Sequence, residues 1–448
     1  MCGKSPGGPV RPFGFLLWVA LLGNSALAAE PGPAGAPTSL PEPVTLSLAD
    51  LERMALENNP TLAQAAALIE ASRGKALQAG LYPNPTVGYV GEQIGAEGTA
   101  GELQGAFIEQ EIVTAGKLRL SRAKYQQEAV AAEIQALAQQ YRVLNSVRTR
   151  FWETVTARRE VEIRRDLLRI AEDAETTTAQ MLNVGQANRS DLLQAQVEAQ
   201  RARVELRAAE KRYLGAWGQL TAVVGRPDLG PAPLEADLER VGPAPDWERT
   251  LCDLLAASPE LQFAQAEVLR DQITVRRERA EPVPNLMVRT GTGYNFESGN
   301  TVAEVQVGVR LPVFDRNQGT IRQAQADLAR ARANVTRVEL SLRRRFADAA
   351  ARYEAARVTA DGYRTEMLPK AKEAYELMLE SFRNRRAAWP QVLVAARNYT
   401  EFSLDYLEAL RDLRKAEVEI TGLLLTDGLS EPPGPTPQGH IDAVPKPR

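Results

Sequence analysis

The sequence is internally duplicated. Asn59-Pro60-Thr61-Leu62 returns as Ser258-Pro259-Glu260-Leu261 at an offset of 199 residues, and Leu56 and Ala65 return as Leu255 and Ala264. Pro83-Asn84 matches Pro284-Asn285 at 201, Leu193 and Ala195 match Leu393 and Ala395 at 200, and Leu220-Thr221 matches Ile420-Thr421. An offset that barely drifts through the ordered body means two copies of one unit, and that decides the architecture before any local reading.

Within each copy the hydrophobic period changes in the same order. From Ala115 to Leu182 apolar residues recur at Val130, Ile134, Leu137, Tyr141, Leu144, Val147, Phe151 and Val155, a spacing of about 3.6 that predicts one long amphipathic helix. Val335, Val338, Leu342, Phe346, Ala349 and Tyr353 repeat it in the second copy. Just before that helix, Leu286, Val288, Thr290, Thr292, Tyr294 and Phe296 share one parity. Ala303, Val305, Val307, Val309 and Leu311 do the same after the turn Glu297-Ser298-Gly299-Asn300. Alternation of this kind predicts a hairpin. The first copy has a weaker pair, about 86–93 and 103–113, joined by the Gly-rich loop Gly95–Gly101. Strands of nine to eleven residues are the length a tilted transmembrane strand needs.

The ends are of another character. Lys4 and Arg11, the apolar run Phe13–Leu22 and Ala26-Leu27-Ala28 read as a secretory signal over residues 1–28. The apolar run is too short to span a bilayer as a helix. Residues 29–45 form a Pro-rich linker, 46–228 the first repeat, 229–246 a connecting segment, 247–428 the second repeat, and 429–448 a tail expected to be disordered. Cys2 is expected to leave with the signal, so Cys252 reads as a small unpaired core residue.

Four strands cannot close a barrel. Two chains would give eight strands and no pore, whereas three give twelve and a lumen, so the expected assembly is a homotrimer. Ala115–Leu182 is 68 residues long, roughly 100 Å as a helix. Two shorter helices, about Leu48–Leu81 and Ser190–Val224, sum to a similar length and are expected to stack beside it. The predicted fold is therefore mainly α with a small β part: a barrel of twelve strands, four per chain, continued by a long helical tube.

The motifs in their order resemble the TolC family of outer-membrane efflux proteins. They are Asn59-Pro60-Thr61-Leu62, Tyr82-Pro83-Asn84-Pro85, Gly116-Lys117, Asn183-Val184-Gly185, Asp191-Leu192-Leu193-Gln194-Ala195-Gln196, and Pro312-Val313-Phe314-Asp315-Arg316-Asn317-Gln318-Gly319. Gln110-Glu111-Ile112 with Gly116-Lys117 and the Phe314–Gly319 motif is most similar to the CzcC and CusC heavy-metal branch. The resemblance implies a passive outer-membrane conduit, set in lipid with its helical part in the periplasm. It also implies a periplasmic adaptor and an inner-membrane RND-type pump as partners, and heavy-metal cations as cargo. The same architecture serves drug export and type I protein secretion, and a periplasmic coiled-coil adaptor is the alternative from another class.

The turn Val184-Gly185-Gln186-Ala187-Asn188 ends the first long helix, with Gly as the left-handed cap and Asn188 or Ser190 capping the next. By resemblance this tip docks the adaptor through Val184, Gly185, Ser190 and Leu192. In the second copy Arg385 stands where Gly185 does, followed by Arg386 and by Pro390 in the first turn of the next helix. Glu373, Glu376 and Glu380 lie at helical spacing before that tip and are candidates for a carboxylate ring at the periplasmic mouth, with Pro369 kinking the helix.

A net charge of −3 argues against nucleic acid as the main partner. The single histidine, His440, falls in the tail. No zinc-spaced cluster, nucleophile motif or phosphate loop is legible, so neither a cofactor nor an enzymatic activity is expected.

Overall fold

The computed structural model describes residues 45–94, 102–384 and 386–433. The signal segment, most of the linker, the loop 95–101, Arg385 and residues 434–448 lie outside them.

Each repeat runs helix, helix, strand, strand, long helix, helix. The first comprises α1 (Leu48–Asn58), α2 (Pro60–Gln78), β1 (Thr86–Glu92), β2 (Leu103–Ile112), α3 (Lys117–Asn183) and α4 (Arg189–Val224). The second comprises α5 (Trp247–Ala257), α6 (Pro259–Ala280), β3 (Leu286–Asn295), β4 (Asn300–Val309), α7 (Gln318–Gly362), α8 (Leu368–Arg383) and α9 (Trp389–Thr421), with a π-helical turn, Tyr363–Met367, between α7 and α8.

The helix expected over Leu48–Leu81 is two helices. Asn59 takes an extended backbone and caps α2 through its side-chain oxygen, which accepts from the Thr61 N–H at 3.0 Å. Pro60 then supplies the first helical residue, where its missing N–H costs nothing. Ser258 and Pro259 break the second copy at the same point. Asn59 also donates to the Val223 carbonyl at 2.8 Å, which ties this break to the end of α4.

Each repeat has its own core at its equator, and the cores superpose in sequence. Val143, Val147, Leu220 and Val224 are buried with Leu51, Phe151 and Trp217 in the first. Leu342, Phe346, Ile420 and Leu424 occupy the matching positions in the second, with Leu254, Tyr353 and Leu413. Cys252 is half-buried beside Leu254 rather than in that core.

The connecting segment is strapped to this equator. Leu46 exchanges backbone hydrogen bonds with Pro233 and Glu235, Trp217 donates to the Leu229 carbonyl at 2.8 Å, and the buried Arg414 donates to the carbonyls of Asp237, Leu238 and Arg240 while lying over the Trp152 ring. The C-terminal turn does the same for the first copy: Asn145 donates to the carbonyls of Gly422 and Leu425, and Gln139 to those of Gly428 and Ser430. Packed structure thus reaches into the segment expected to be tail.

The apolar stripe predicted for α3 is only half right. Val147 and Phe151 are buried, but Val130 and Leu137 are exposed. Above the equator the buried side is Leu118, Tyr125, Ala132 and Gln139, a seven-residue repeat suited to supercoiled packing, because there α3 packs against α2 and α6 rather than α1.

The four strands form one antiparallel sheet in the order β1-β2-β3-β4. The β2–β3 seam joins the two repeats, with Gly105 opposite Gly293. β4 ends at Val309, short of the expected 313. Register puts Val87, Tyr89, Ile108, Val288, Val305 and Val307 on one face and Glu92, Glu109, Glu111, Arg289 and Glu304 on the other. An apolar outside with a polar inside is the pattern of a transmembrane barrel wall. No described helix is long and apolar enough to cross a membrane.

Strands turn into helices through a polar junction. The Lys117 ammonium donates to the Val283 carbonyl and to Asn285 Oδ1 at 2.6 and 2.9 Å, and Asn285 donates to Glu111 at 2.8 Å. Asn317, in the left-handed conformation, donates to Glu278 in the second copy. These contacts account for Lys117 and Asn317 in the two junction motifs.

Candidate docking and gating surfaces at the helical tips

The first tip closes as a glycine-terminated helix. Gly185 sits at φ +74°, the left-handed region that favours glycine. The Gln186 N–H donates to the Met181 carbonyl at 2.8 Å and the Gly185 N–H to that of Leu182 at 3.1 Å, so the last carbonyls of α3 are satisfied. Asn188 is the N-cap of α4, and its N–H donates to the Asp191 carboxylate at 3.0 Å. Val184, Gly185 and Ser190 are exposed and Leu192 is half-buried.

The second tip closes in a matching way. The Arg386 N–H donates to the Ser381 carbonyl at 2.8 Å, the counterpart of Gln186 on Met181, although arginine replaces glycine at position 385. Arg386 is exposed; Arg385 lies outside the described residues. Pro390 is in the first turn of α9, as its sequence position predicted. Pro369, expected to kink the helix, lies at the start of α8 directly after the π-helical turn.

Glu373, Glu376 and Glu380 share an exposed side of α8. The opposite side meets α9, with Tyr375 stacked on Tyr399 and the Phe382 ring edge-on to Trp389 at 4.7 Å. Burial raises the Tyr375 phenol above its ordinary value. Glu376 faces Lys372 at 3.9 Å, so the three carboxylates are not a purely negative set.

Between the tips lies a cavity of about 490 Å³, whose apolar lining includes Met181, Leu193, Val197, Phe382, Trp389 and Leu393. The sequence reading missed it. Its signal was present in Phe382 and Trp389 near one turn and Leu193 near the other, but only packing of the two hairpins brings them together. In the cavity wall, Glu198 of α4 and Arg397 of α9 form an ion pair that ties the hairpins directly. Ladders of Arg164 with Glu205 and Arg203 with Glu172 run along α3 and α4.

No cluster of His, Cys, Asp or Glu suited to holding a metal ion occurs among the described residues. The geometry is that of a duplicated wall element, with a membrane-type sheet at one end and paired hairpin tips at the other. The outer membrane efflux protein family model matches residues 51–226 and 251–424, the two repeats in turn. The chain belongs to the outer membrane efflux protein family. It is an outer-membrane efflux channel, its sheet in the membrane and its helices in the periplasm.

The cobalt-zinc-cadmium resistance protein CzcC of Cupriavidus metallidurans is 25% identical over 404 residues, covering 90% of this chain and 93% of that protein. The nickel-cobalt-cadmium resistance protein NccC of Alcaligenes xylosoxydans xylosoxydans is 25% identical over 307 residues, 66% and 68% of the two chains. The outer membrane protein VceC of Vibrio cholerae has the same fold, with a TM-score of 0.69 at 17% identity over 85% of this chain and 96% of that one.

Proposed function

We propose that this channel is the outer-membrane part of a tripartite system that exports divalent heavy-metal cations, and that it works as a homotrimer. The match to CzcC along nine-tenths of the chain carries the choice of cargo. The trimer is supported by the sheet, whose β1 and β4 edges are both unpaired in the protomer and need partners within a bilayer. Leu340 and Val358, five turns apart on one side of α7, are likewise left exposed.

In this reading the protein is a conduit and not an enzyme: an RND-type inner-membrane pump supplies the driving force and an adaptor bridges the periplasm. Val184, Gly185, Ser190 and Leu192 at one tip, and Arg385 and Arg386 at the other, are the proposed adaptor contacts, with the apolar cavity between the tips as the place for an apolar adaptor side chain. Glu373, Glu376 and Glu380 form the proposed ring at the periplasmic mouth.

The cargo is tested by deleting the gene and growing the strain against zinc, cobalt, cadmium, nickel and a set of hydrophobic drugs. Selective loss of metal tolerance, restored by the wild-type gene, is expected. Loss of drug tolerance with unchanged metal tolerance would reassign the channel to drug export.

A further inference from the structure

Within the strands the inward face carries Glu92, Glu109, Glu111 and Glu304 and one basic residue, Arg289, with Arg310 at the same parity one residue past the end of β4. Arg289 makes no ion pair among the described residues, although Glu109 is its cross-strand neighbour. Its guanidinium instead lies over the Phe107 ring, 3.8 Å from the centroid, and its Nε is buried without a hydrogen-bond partner. Phe107 in turn has glycine on both sides in register, Gly88 on β1 and Gly291 on β3. A Cβ on Gly88 would come within 2.6 Å of the ring, so the ring fills the space that glycine leaves. The wall is thus layered here, from strand backbone at Gly88 to aromatic ring to guanidinium.

A guanidinium that has lost part of its hydration and gained no carboxylate costs free energy unless its position serves something. Stacking on an aromatic face offsets some of that cost and fixes the group in place. Rings of charged side chains set ion preference in pores. We propose that Arg289, held on Phe107, is a selectivity-determining residue of the barrel: three guanidinium groups form one positive layer within strands whose other inward charges are acidic and moderate the lumen's preference for cations. The proposal rests on the trimeric channel reading above.

The test is the reversal potential of purified channels in planar bilayers across a KCl gradient at low ionic strength, where screening is weakest. Arg289→Gln should raise the potassium-to-chloride permeability ratio by about twofold or more. Arg289→Lys, which keeps the charge, should stay near wild type, and Phe107→Leu, which removes the platform but keeps bulk, should move in the direction of Arg289→Gln. Heat-modifiable trimers on gels establish assembly for each variant, and Arg289→Met serves if the glutamine variant does not assemble. A wild-type ratio in the assembled neutral variant overturns the proposal. Absence of any current or trimer from the wild-type protein would instead overturn the channel reading on which it stands.

Discussion

Gly105→Val should abolish assembled channels in the outer membrane. Gly105 faces Gly293 across the seam that joins the two repeats, and a Cβ there would sit 2.6 Å from Gly293 Cα and closer still to the Thr292 carbonyl oxygen. These are backbone atoms, which cannot turn aside as a side chain can. The cost should therefore exceed the roughly 1–3 kcal/mol of ordinary core overpacking, and a tenfold loss of assembled protein needs only about 1.4 kcal/mol. Outer-membrane fractions run without heating should lose the trimer band, while Gly308→Val, where a Cβ meets nothing within 4 Å, keeps it. A normal trimer band in Gly105→Val would mean that the seam is paired in another register.

Gly185→Trp should give the opposite split, with full assembly and lost export. An L-residue at φ +74° carries roughly 1–2 kcal/mol of strain, too little to unfold a tip held by the whole of α3 and α4. A Cβ at this position meets nothing within 4 Å in the protomer, so the indole projects into space that the docking proposal gives to the adaptor. Metal tolerance should fall to that of the deletion strain with trimers unchanged. Gly185→Asn, which tolerates the left-handed region, should keep most of it. Full tolerance in the tryptophan variant would remove this tip from the docking surface.

Much of this architecture was legible because duplication writes it twice. The matched pairs that betrayed the repeat include Leu220 and Ile420, which lie in matching cores, so sequence register and packing register are one. Strand alternation was legible for the same reason, since one face of the sheet meets an apolar medium. Four features were not. The helix breaks at Asn59 and Ser258 were hidden because apolar spacing continues across them, and only the capping geometry marks the change of direction. Val130 and Leu137 looked like core because the spacing of α3 was read as one stripe, whereas its partners change along its length and the buried side turns with them. The Phe107–Arg289 stack and the tip cavity depend on residues far apart in sequence, in different repeats. Local patterning carries no information about such a meeting until register and hairpin packing are known.

The claim on which everything else depends is that four strands per chain become a channel only in threes. Native mass spectrometry of the detergent-extracted outer-membrane protein counts the chains. A single species of three mature chains is the predicted result, and a stable monomer or dimer that still conducts ions would contradict it.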